Sequence, residues 1–281
     1  MNINDILQYP IGLLIKVALV NSFGSTRQKE QYDLLRRAPY AYGLLRAADL
    51  AKAFGKKRTT VCEFGVADGT GLLNMIHLAE KISKETGIEF DIFGFDTCEG
   101  LPEIKGYKDH PEIWSPGDFK MGDKDSLLKK INNKAELIVG DIKDTVDIFV
   151  DMLNSESPIG FIVVDVDIYS ASKVAINCLL SKPDLYNPAV SIYFDDVVSF
   201  FANKWCGELA AIEEFNSENK LRKIDIDRSI GMRPTFHFLR RSWNEHMYVC
   251  HILDHDVRSK PVNRQSYAID DHHDFLQKHN I

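Results

Sequence analysis

Aspartates follow several of the apolar runs that have the length of a β-strand. Those with the clearest chemistry are Asp96, Asp141, Asp165, Asp167, Asp195 and Asp196. The last four follow two hydrophobic runs, residues 161–164 and 192–194, which places hard oxygen ligands at one edge of a predicted sheet. Such carboxylates repel one another at neutral pH unless a cation or protons compensate them. The spacing therefore predicts a site for Mg²⁺, Ca²⁺ or Mn²⁺, with solvated turn aspartates as the alternative.

A glycine-rich turn lies ahead of these aspartates in the chain. The sequence Glu63-Phe-Gly65-Val-Ala67-Asp-Gly69-Thr-Gly71 leads from an apolar run into a helical pattern. Such a turn lets a ligand approach bare backbone and presents helix N-terminal N–H groups to it. A dinucleotide fingerprint would need a third glycine where Asn74 stands. The turn therefore predicts a small-molecule ligand without a standard NAD motif.

Two further strand ends suggest that the ligand contains a nucleoside. Asp96 follows Phe93-Gly-Phe95, at the edge where an acidic side chain holds a ribose diol in a doubly wound sheet. Asp141, followed by Ile142, stands in a Gly-Asp turn after the next apolar run, within reach of the base. Turn aspartates are common without such a role, so the combination with the glycine turn carries the prediction.

The elements that must position these residues alternate between strand and helix periodicity. Predicted strands cover residues 60–64, 90–95, 136–139, 160–164 and 190–194, and predicted helices cover 72–86, 144–154 and 172–180. This alternation is typical of βαβ units and a parallel sheet. It predicts an α/β, doubly wound Rossmann-like sheet.

The regions on either side of this core have other patterns. A helix over 208–215 and two strands over 221–226 and 235–239 predict an antiparallel hairpin, which brings the sheet to about seven strands. Residues 32–54 are predicted to be largely helical. We therefore divide the chain into a helical N-terminal extension (1–55), a ligand-binding domain (56–245) and a C-terminal strand and tail (246–281).

The connection over residues 101–125 is unusually long for this alternation. It is polar and contains Pro102, Pro111 and Pro116 together with Trp114. Long connections in compact domains are usually functional. We expect a lid or a binding loop.

Composition limits the remaining functions. The chain has 281 residues with 34 Lys and Arg against 41 Asp and Glu, a net charge of −7, which argues against a nucleic-acid partner. The five cysteines are scattered and include no Cys-x-x-Cys pair, as in a reducing compartment. The apolar stretch over 11–20 is too short to span a bilayer, and it reads as a packing helix or a membrane-surface helix. We expect a cytoplasmic protein with no transmembrane segment.

Together these motifs resemble the class I S-adenosylmethionine-dependent methyltransferases, and within them the macrocin O-methyltransferase family most. The resemblance covers about residues 36–241. Its motifs are Glu63-Phe-Gly-Val-Ala-Asp-Gly-Thr-Gly71, Gly94-Phe-Asp-Thr-Cys-Glu-Gly-Leu-Pro-Glu103, Gly140-Asp-Ile-Lys-Asp-Thr145, Asp165-Val-Asp-Ile-Tyr-Ser170 and Phe194-Asp-Asp196.

The resemblance implies a role for each motif. The turn from Glu63 to Gly71, with Gly65, Ala67 and Gly69, would hold the methionine part of the cofactor, and Asp96 with Thr97 the ribose. Asp141 and Ile142 would line the adenine, and Asp165, Asp195 and Asp196 match the metal ligands of catechol-type O-methyltransferases. The lysine that those enzymes carry three positions after the first aspartate is Ile168 here. The general base is therefore open between Asp167, Asp165 and His237.

We accordingly expect a metal-dependent O-methyltransferase that uses S-adenosyl-L-methionine and Mg²⁺ or another divalent cation. Its acceptor would be a sugar, glycoside or similar polyhydroxylated small molecule, and the protein is expected to form a homo-oligomer. Two alternatives stay open: a metal-independent methyltransferase acting on an amine or carboxylate, and a nucleoside-binding module without catalysis. Three strand-end aspartates favour catalysis over the binding module.

Overall fold

The structure, a computed structural model, describes residues 11–230 and 242–260 and contains one seven-stranded sheet. The strands are β1 (Arg58–Phe64), β2 (Glu89–Asp96), β3 (Glu136–Val139), β4 (Ile159–Val164), β5 (Tyr186–Phe194), β6 (Arg222–Ile226) and β7 (Met247–Ile252). The helices are α1 (Ile11–Phe23), α2 (Thr26–Gln31), α3 (Ala38–Ala53), α4 (Thr70–Thr86), α5 (Lys124–Ile131), α6 (Ile142–Met152), α7 (Tyr169–Ala175) and α8 (Gly207–Glu218).

The strand order is β3-β2-β1-β4-β5-β7-β6. The first five strands run parallel, and β7 runs antiparallel to both β5 and β6. The predicted α/β, doubly wound sheet of about seven strands with an antiparallel end is thus confirmed. Its order reverses between β1 and β4, which is the switch point where open α/β sheets bind ligands.

The antiparallel partner of β6 differs from the predicted one. The predicted hairpin strand over 235–239 lies outside the described residues. In the structure β6 pairs with β7, with Ile224 opposite Cys250. Because β7 also pairs with β5, the C-terminal part of the chain supplies an interior strand of the sheet.

Two apolar layers hold the sheet between its helices. On β4, Phe161 and Val163 belong to the layer beneath α3 and α4, whereas Ile162 and Val164 belong to the layer beneath α6, α7 and α8. This alternation follows from the two-residue period of a strand. Both faces are therefore buried, as expected for parallel strands with an almost continuous apolar sequence.

Helix α3 begins later than the periodicity predicts. The helical pattern starts near Tyr32, but the helix starts at Ala38, after Arg37 in a left-handed conformation with φ of 52°. The reason is Pro39, which lacks an N–H and is compatible only with the first turn of a helix. A helix that continued through Pro39 would lose a hydrogen bond and clash with the preceding turn.

In the described part of the chain, none of the helices combines the length and the apolarity that crossing a membrane requires. All five cysteines are free thiols, and Cys62, Cys178 and Cys250 are buried.

Candidate active site

The carboxyl ends of five parallel strands surround one cavity of about 370 Å³. This volume is within the range of small-molecule sites, roughly 300–1,000 Å³. Most of the predicted site residues line it, namely Glu63, Gly65, Ala67, Gly71, Asp96, Thr97, Asp141, Ile142, Asp165, Asp167, Asp195 and Asp196. Gly69 instead caps α4 beside the cavity. His237 lies outside the described residues, so the structure does not place it.

The glycine turn after β1 is shaped by close approach to β4. Gly65 has φ of 87°, and a Cβ there would stand 1.8 Å from the backbone oxygen of Asp165. A Cβ on Gly71 would stand 2.0 Å from Glu63 Oε1. Glycine is therefore required at Gly65, whereas a side chain at Gly71 would displace the Glu63 carboxylate, and the bare backbone forms one wall of the cavity.

Asp96 organises this turn as well as facing the cavity. Its Oδ2 accepts hydrogen bonds from the backbone N–H groups of Val66 (2.9 Å) and Ala67 (2.8 Å), and its Oδ1 accepts one from Cys98 (2.6 Å). An ionised carboxylate offers about four acceptor positions. One position thus stays available to a ligand hydroxyl.

Asp141 is the N-cap of α6. Its side chain accepts a hydrogen bond from the backbone N–H of Lys143 (3.0 Å), and its Oδ2 lies 2.8 Å from Lys143 Nζ. Burial opposes ionisation, but these Lys143 contacts outweigh it and lower the pKa of Asp141. The carboxylate is therefore held ionised at the rim of the cavity.

Glu63 is fully buried, and only one of its two carboxylate oxygens accepts a hydrogen bond in the described structure. Its Oε1 accepts a hydrogen bond from the Tyr40 hydroxyl at 2.6 Å, whereas its Oε2 has no partner among the described residues. Burial raises the pKa of Glu63 to about 8, and the nearby charge of Asp165 adds to this against the stabilising Tyr40 bond. An unpaired buried carboxylate oxygen costs stability, so it fits a donor on a ligand.

Three aspartates form a group able to hold a metal ion. One carboxylate oxygen from each of Asp165, Asp195 and Asp196 lies within 4.8 Å of the others. The Tyr193 hydroxyl donates to Asp195 Oδ1 at 2.6 Å, and Asp196 Oδ2 is buried without a partner in the described structure. The oxygen donors and the orphaned oxygen fit a hard divalent cation.

Burial and mutual repulsion shift the titration of this group. Burial, with the charges of Asp195 and Asp196, raises the pKa of Asp165 to about 7. The same two effects raise the pKa of Asp167 to about 8 and that of Asp196 to about 6. Shifts of this kind concentrate at functional sites.

Sequence reasoning missed several residues that surround the acids. Glu208 Oε2 accepts from the backbone N–H of Asp196 at 2.9 Å, and its Oε1 is buried without a partner in the described chain. His246 Nδ1 lies 2.9 Å from the Phe194 oxygen. Arg37 lines the cavity from the N-terminal extension, and the nearby Tyr40 contacts Glu63 from behind it. The positions of these residues depend on tertiary packing, and no local sequence motif indicates them.

The long connection between β2 and α5 covers one side of the cavity. Trp114, Asp118 and Phe119 line it, and the Trp114 and Phe119 ring centroids are 5.7 Å apart. The base of the connection is fixed because the buried Asp109 accepts hydrogen bonds from Ser170 N (2.8 Å) and Oγ (3.0 Å). The cavity-facing part is also held, since Leu101 N donates to Asp118 O and Gly117 N donates to Leu101 O, both at 2.8 Å, so the lid stays a prediction.

For S-adenosylhomocysteine, the product form of the cofactor that the resemblance implies, we expect binding to slow amide exchange in residues 111–122 at least about tenfold, because closure over a ligand protects the backbone. Residues 105–110 serve as the internal control, since Asp109 already fixes them. Hydrogen–deuterium exchange followed by peptide mass spectrometry measures both. Equal exchange of 111–122 with and without ligand would identify a rigid structural loop.

No protein-family model and no curated protein matches the chain. Solved structures do resemble it. The calicheamicin methyltransferase CalS11 is 17% identical over 85% of this chain and 90% of its own, with a TM-score of 0.49. The O-methyltransferase NovP is 14% identical over 67% and 76%, with a TM-score of 0.46. TomG from Streptomyces achromogenes, an O-methyltransferase of tomaymycin synthesis in complex with SAM, is 12% identical over 87% and 91%, with a TM-score of 0.40.

Proposed function

We propose that this protein is an S-adenosylmethionine-dependent O-methyltransferase that methylates a hydroxyl of a sugar, glycoside or similar polyhydroxylated small molecule with the help of a divalent cation. The observation that carries the proposal is the cavity itself. It joins a glycine turn and Asp96 on one side to the cluster of Asp165, Asp195 and Asp196 on the other. A methyl donor and a metal-held acceptor would meet between them.

The donor side of the cavity suits the three parts of the cofactor. Asp96 retains an acceptor position for a ribose hydroxyl. Asp141 and Ile142 line the part of the cavity that the adenine would occupy. Glu63 Oε2 offers the missing partner for the α-ammonium group. The bare backbone at Gly65 admits the chain that connects these groups.

The acceptor side supplies charge and a proton acceptor. A divalent cation bound by Asp165, Asp195 and Asp196 would favour the ionised form of an acceptor hydroxyl. Asp167 lines the same cavity and is not one of the three grouped aspartates, so its carboxylate is placed to accept a proton while those three hold the cation. Of the bases considered from the sequence, Asp167 is thus the best supported.

The reaction balances with these groups alone. An electron pair on the acceptor oxygen forms a bond to the methyl carbon, and the carbon–sulfur pair returns to sulfur, leaving S-adenosylhomocysteine as a neutral thioether. The hydroxyl proton passes to Asp167. In-line alignment of oxygen, carbon and sulfur is what the enzyme must provide, and a donor and an acceptor bound in one cavity would allow it.

Calorimetric titration with S-adenosylhomocysteine tests the cofactor assignment. We expect binding to the wild type that is tighter than binding of NAD. Asp96→Ala is expected to weaken it by about 1.5–3 kcal/mol, because a charge-assisted contact to the ribose is lost. Asp147→Ala on the exposed face of α6 is the matched control.

Asp96 also holds the backbone of the turn, so the melting temperature of the variant is measured in parallel. The comparison uses temperatures at which both proteins are folded. Unchanged affinity in folded Asp96→Ala, or tighter binding of NAD than of S-adenosylhomocysteine to the wild type, contradicts the assignment.

A further inference from the structure

Arg37 is the one basic side chain among the described residues that line the cavity. The nine acidic side chains that line it are Glu63, Asp68, Asp96, Asp118, Asp141, Asp165, Asp167, Asp195 and Asp196. A carboxylate that enters this cavity is therefore repelled by most of the wall and attracted at one place. S-adenosylmethionine carries such a carboxylate on its amino-acid part.

The guanidinium of Arg37 and the carboxylate of Glu63 both contact the Tyr40 hydroxyl, and they form no hydrogen bond with each other. The guanidinium lies over the Tyr40 ring at 5.2 Å from the centroid, and Nη1 donates to the Tyr40 hydroxyl at 3.2 Å. That hydroxyl in turn donates to Glu63 Oε1 at 2.6 Å. The bond to Tyr40 is the only hydrogen bond that the guanidinium donates within the described residues, so most of its N–H groups have no partner there.

The two groups on either side of the Tyr40 hydroxyl complement an amino acid. Among the described residues, Glu63 Oε2 is a buried acceptor without a partner, and Arg37 is a cation with most of its donors unpaired. An α-ammonium and an α-carboxylate are likewise separated by a single carbon atom. A zwitterion in the cavity beside Glu63 and Arg37, which both line it, would satisfy the two groups at once.

The backbone at Arg37 has an unusual conformation that contacts on both sides hold in place. Arg37 has φ of 52°, a left-handed conformation that is uncommon for a residue with a Cβ and that occurs mainly at functional or tightly constrained positions. The preceding peptide is anchored because Asn74 Nδ2 on α4 donates to the Arg36 oxygen at 3.3 Å. Pro39 fixes the start of the helix that follows.

We propose that Arg37 binds the α-carboxylate of S-adenosylmethionine, so that the N-terminal extension completes the amino-acid subsite begun by Glu63. This inference rests on the proposed function. The competing place for the carboxylate is the N-terminus of α4, where the Thr70 N–H already donates to Asp68 Oδ1 at 2.9 Å. Asp68 occupies that donor and repels a second carboxylate.

The test compares two ligands that differ only in the carboxylate. Calorimetry measures the affinity of S-adenosylhomocysteine and of its decarboxylated analogue, which keeps the amine, for wild type and Arg37→Ala. We expect Arg37→Ala to weaken S-adenosylhomocysteine binding about 10- to 100-fold and to leave the analogue unchanged. Arg37→Lys keeps the charge and is expected to recover part of the loss.

Arg36→Ala is the matched control, since Arg36 is exposed and does not line the cavity. Equal weakening of both ligands would make Arg37 a merely structural residue, and unchanged S-adenosylhomocysteine affinity would move the carboxylate to backbone amides; either result overturns the inference. Binding of 5′-methylthioadenosine, which lacks the amino-acid part, separates this from the proposed function. A wild type that binds neither it nor S-adenosylhomocysteine refutes the function itself.

Discussion

We expect Mg²⁺ to raise the melting temperature of the wild-type protein, and we expect Asp165→Asn to abolish this rise. At a free Mg²⁺ concentration of about 100 times Kd, binding to the native state alone stabilises it by roughly 2.7 kcal/mol. For a chain of this length, that corresponds to a rise of roughly 4–5 °C. The substitution keeps the shape of the side chain and removes one of three charges that would hold the ion.

The same substitution is expected to raise the stability of the metal-free protein at pH 8. The pKa of Asp165 is raised to about 7 by burial and by the charges of Asp195 and Asp196, so its ionised form is disfavoured in the folded state. Asparagine removes that repulsion. Scanning calorimetry of both proteins in EDTA and in Mg²⁺ gives the two effects together.

Asp167→Asn distinguishes a proton acceptor from a metal ligand. Asp167 lines the cavity but is outside the group of three, and asparagine tolerates its left-handed φ of 64°. We expect it to keep the Mg²⁺ response while methyl transfer to a hydroxylated acceptor falls. A full Mg²⁺ response in Asp165→Asn, or undiminished methyl transfer by metal-free protein in EDTA, contradicts the role of the metal.

The placement of these acids could be predicted from the sequence because parallel strands end at a common edge. Phe161 to Val164 are apolar on both faces, so the first polar residue after them, Asp165, marks the end of the strand. The same reasoning applies to Asp96 at the end of β2 and to Asp195 after β5. For these residues, the end of the apolar run in the sequence also gives the position at the edge of the sheet.

The rest of the site depends on contacts between segments distant in the chain. Tyr40 reaches Glu63 across 23 positions, and its hydroxyl is placed by the packing of α3 on the sheet. The direction of the Arg37 side chain depends on the left-handed backbone conformation of Arg37 itself, which hydrophobic periodicity does not detect. Strand β7 likewise has an apolar pattern, but its insertion between β5 and β6 is a property of the sheet and not of the segment.

Glu63→Gln is expected to have opposite effects on stability and on ligand binding. The pKa of Glu63 is raised to about 8, above its ordinary value near 4.3. Between these two pH values the folded protein retains a proton that the unfolded chain has lost, so rising pH destabilises the wild type. The slope from this group alone is up to about 1.4 kcal/mol per pH unit.

Glutamine cannot ionise, so the stability of Glu63→Gln relative to wild type is expected to rise from pH 5 to pH 8. Its amide oxygen can still accept the Tyr40 hydrogen bond, whereas the unpaired Oε2 is replaced by a donor that repels an ammonium group. Affinity for S-adenosylhomocysteine is therefore expected to fall by about tenfold or more at pH 8.

Glu213→Gln on the exposed face of α8 is the control for both measurements. Chemical denaturation at several pH values and calorimetry at pH 8 decide the matter: parallel pH profiles would show that Glu63 does not titrate in this range, and unchanged affinity would remove it from the ammonium site.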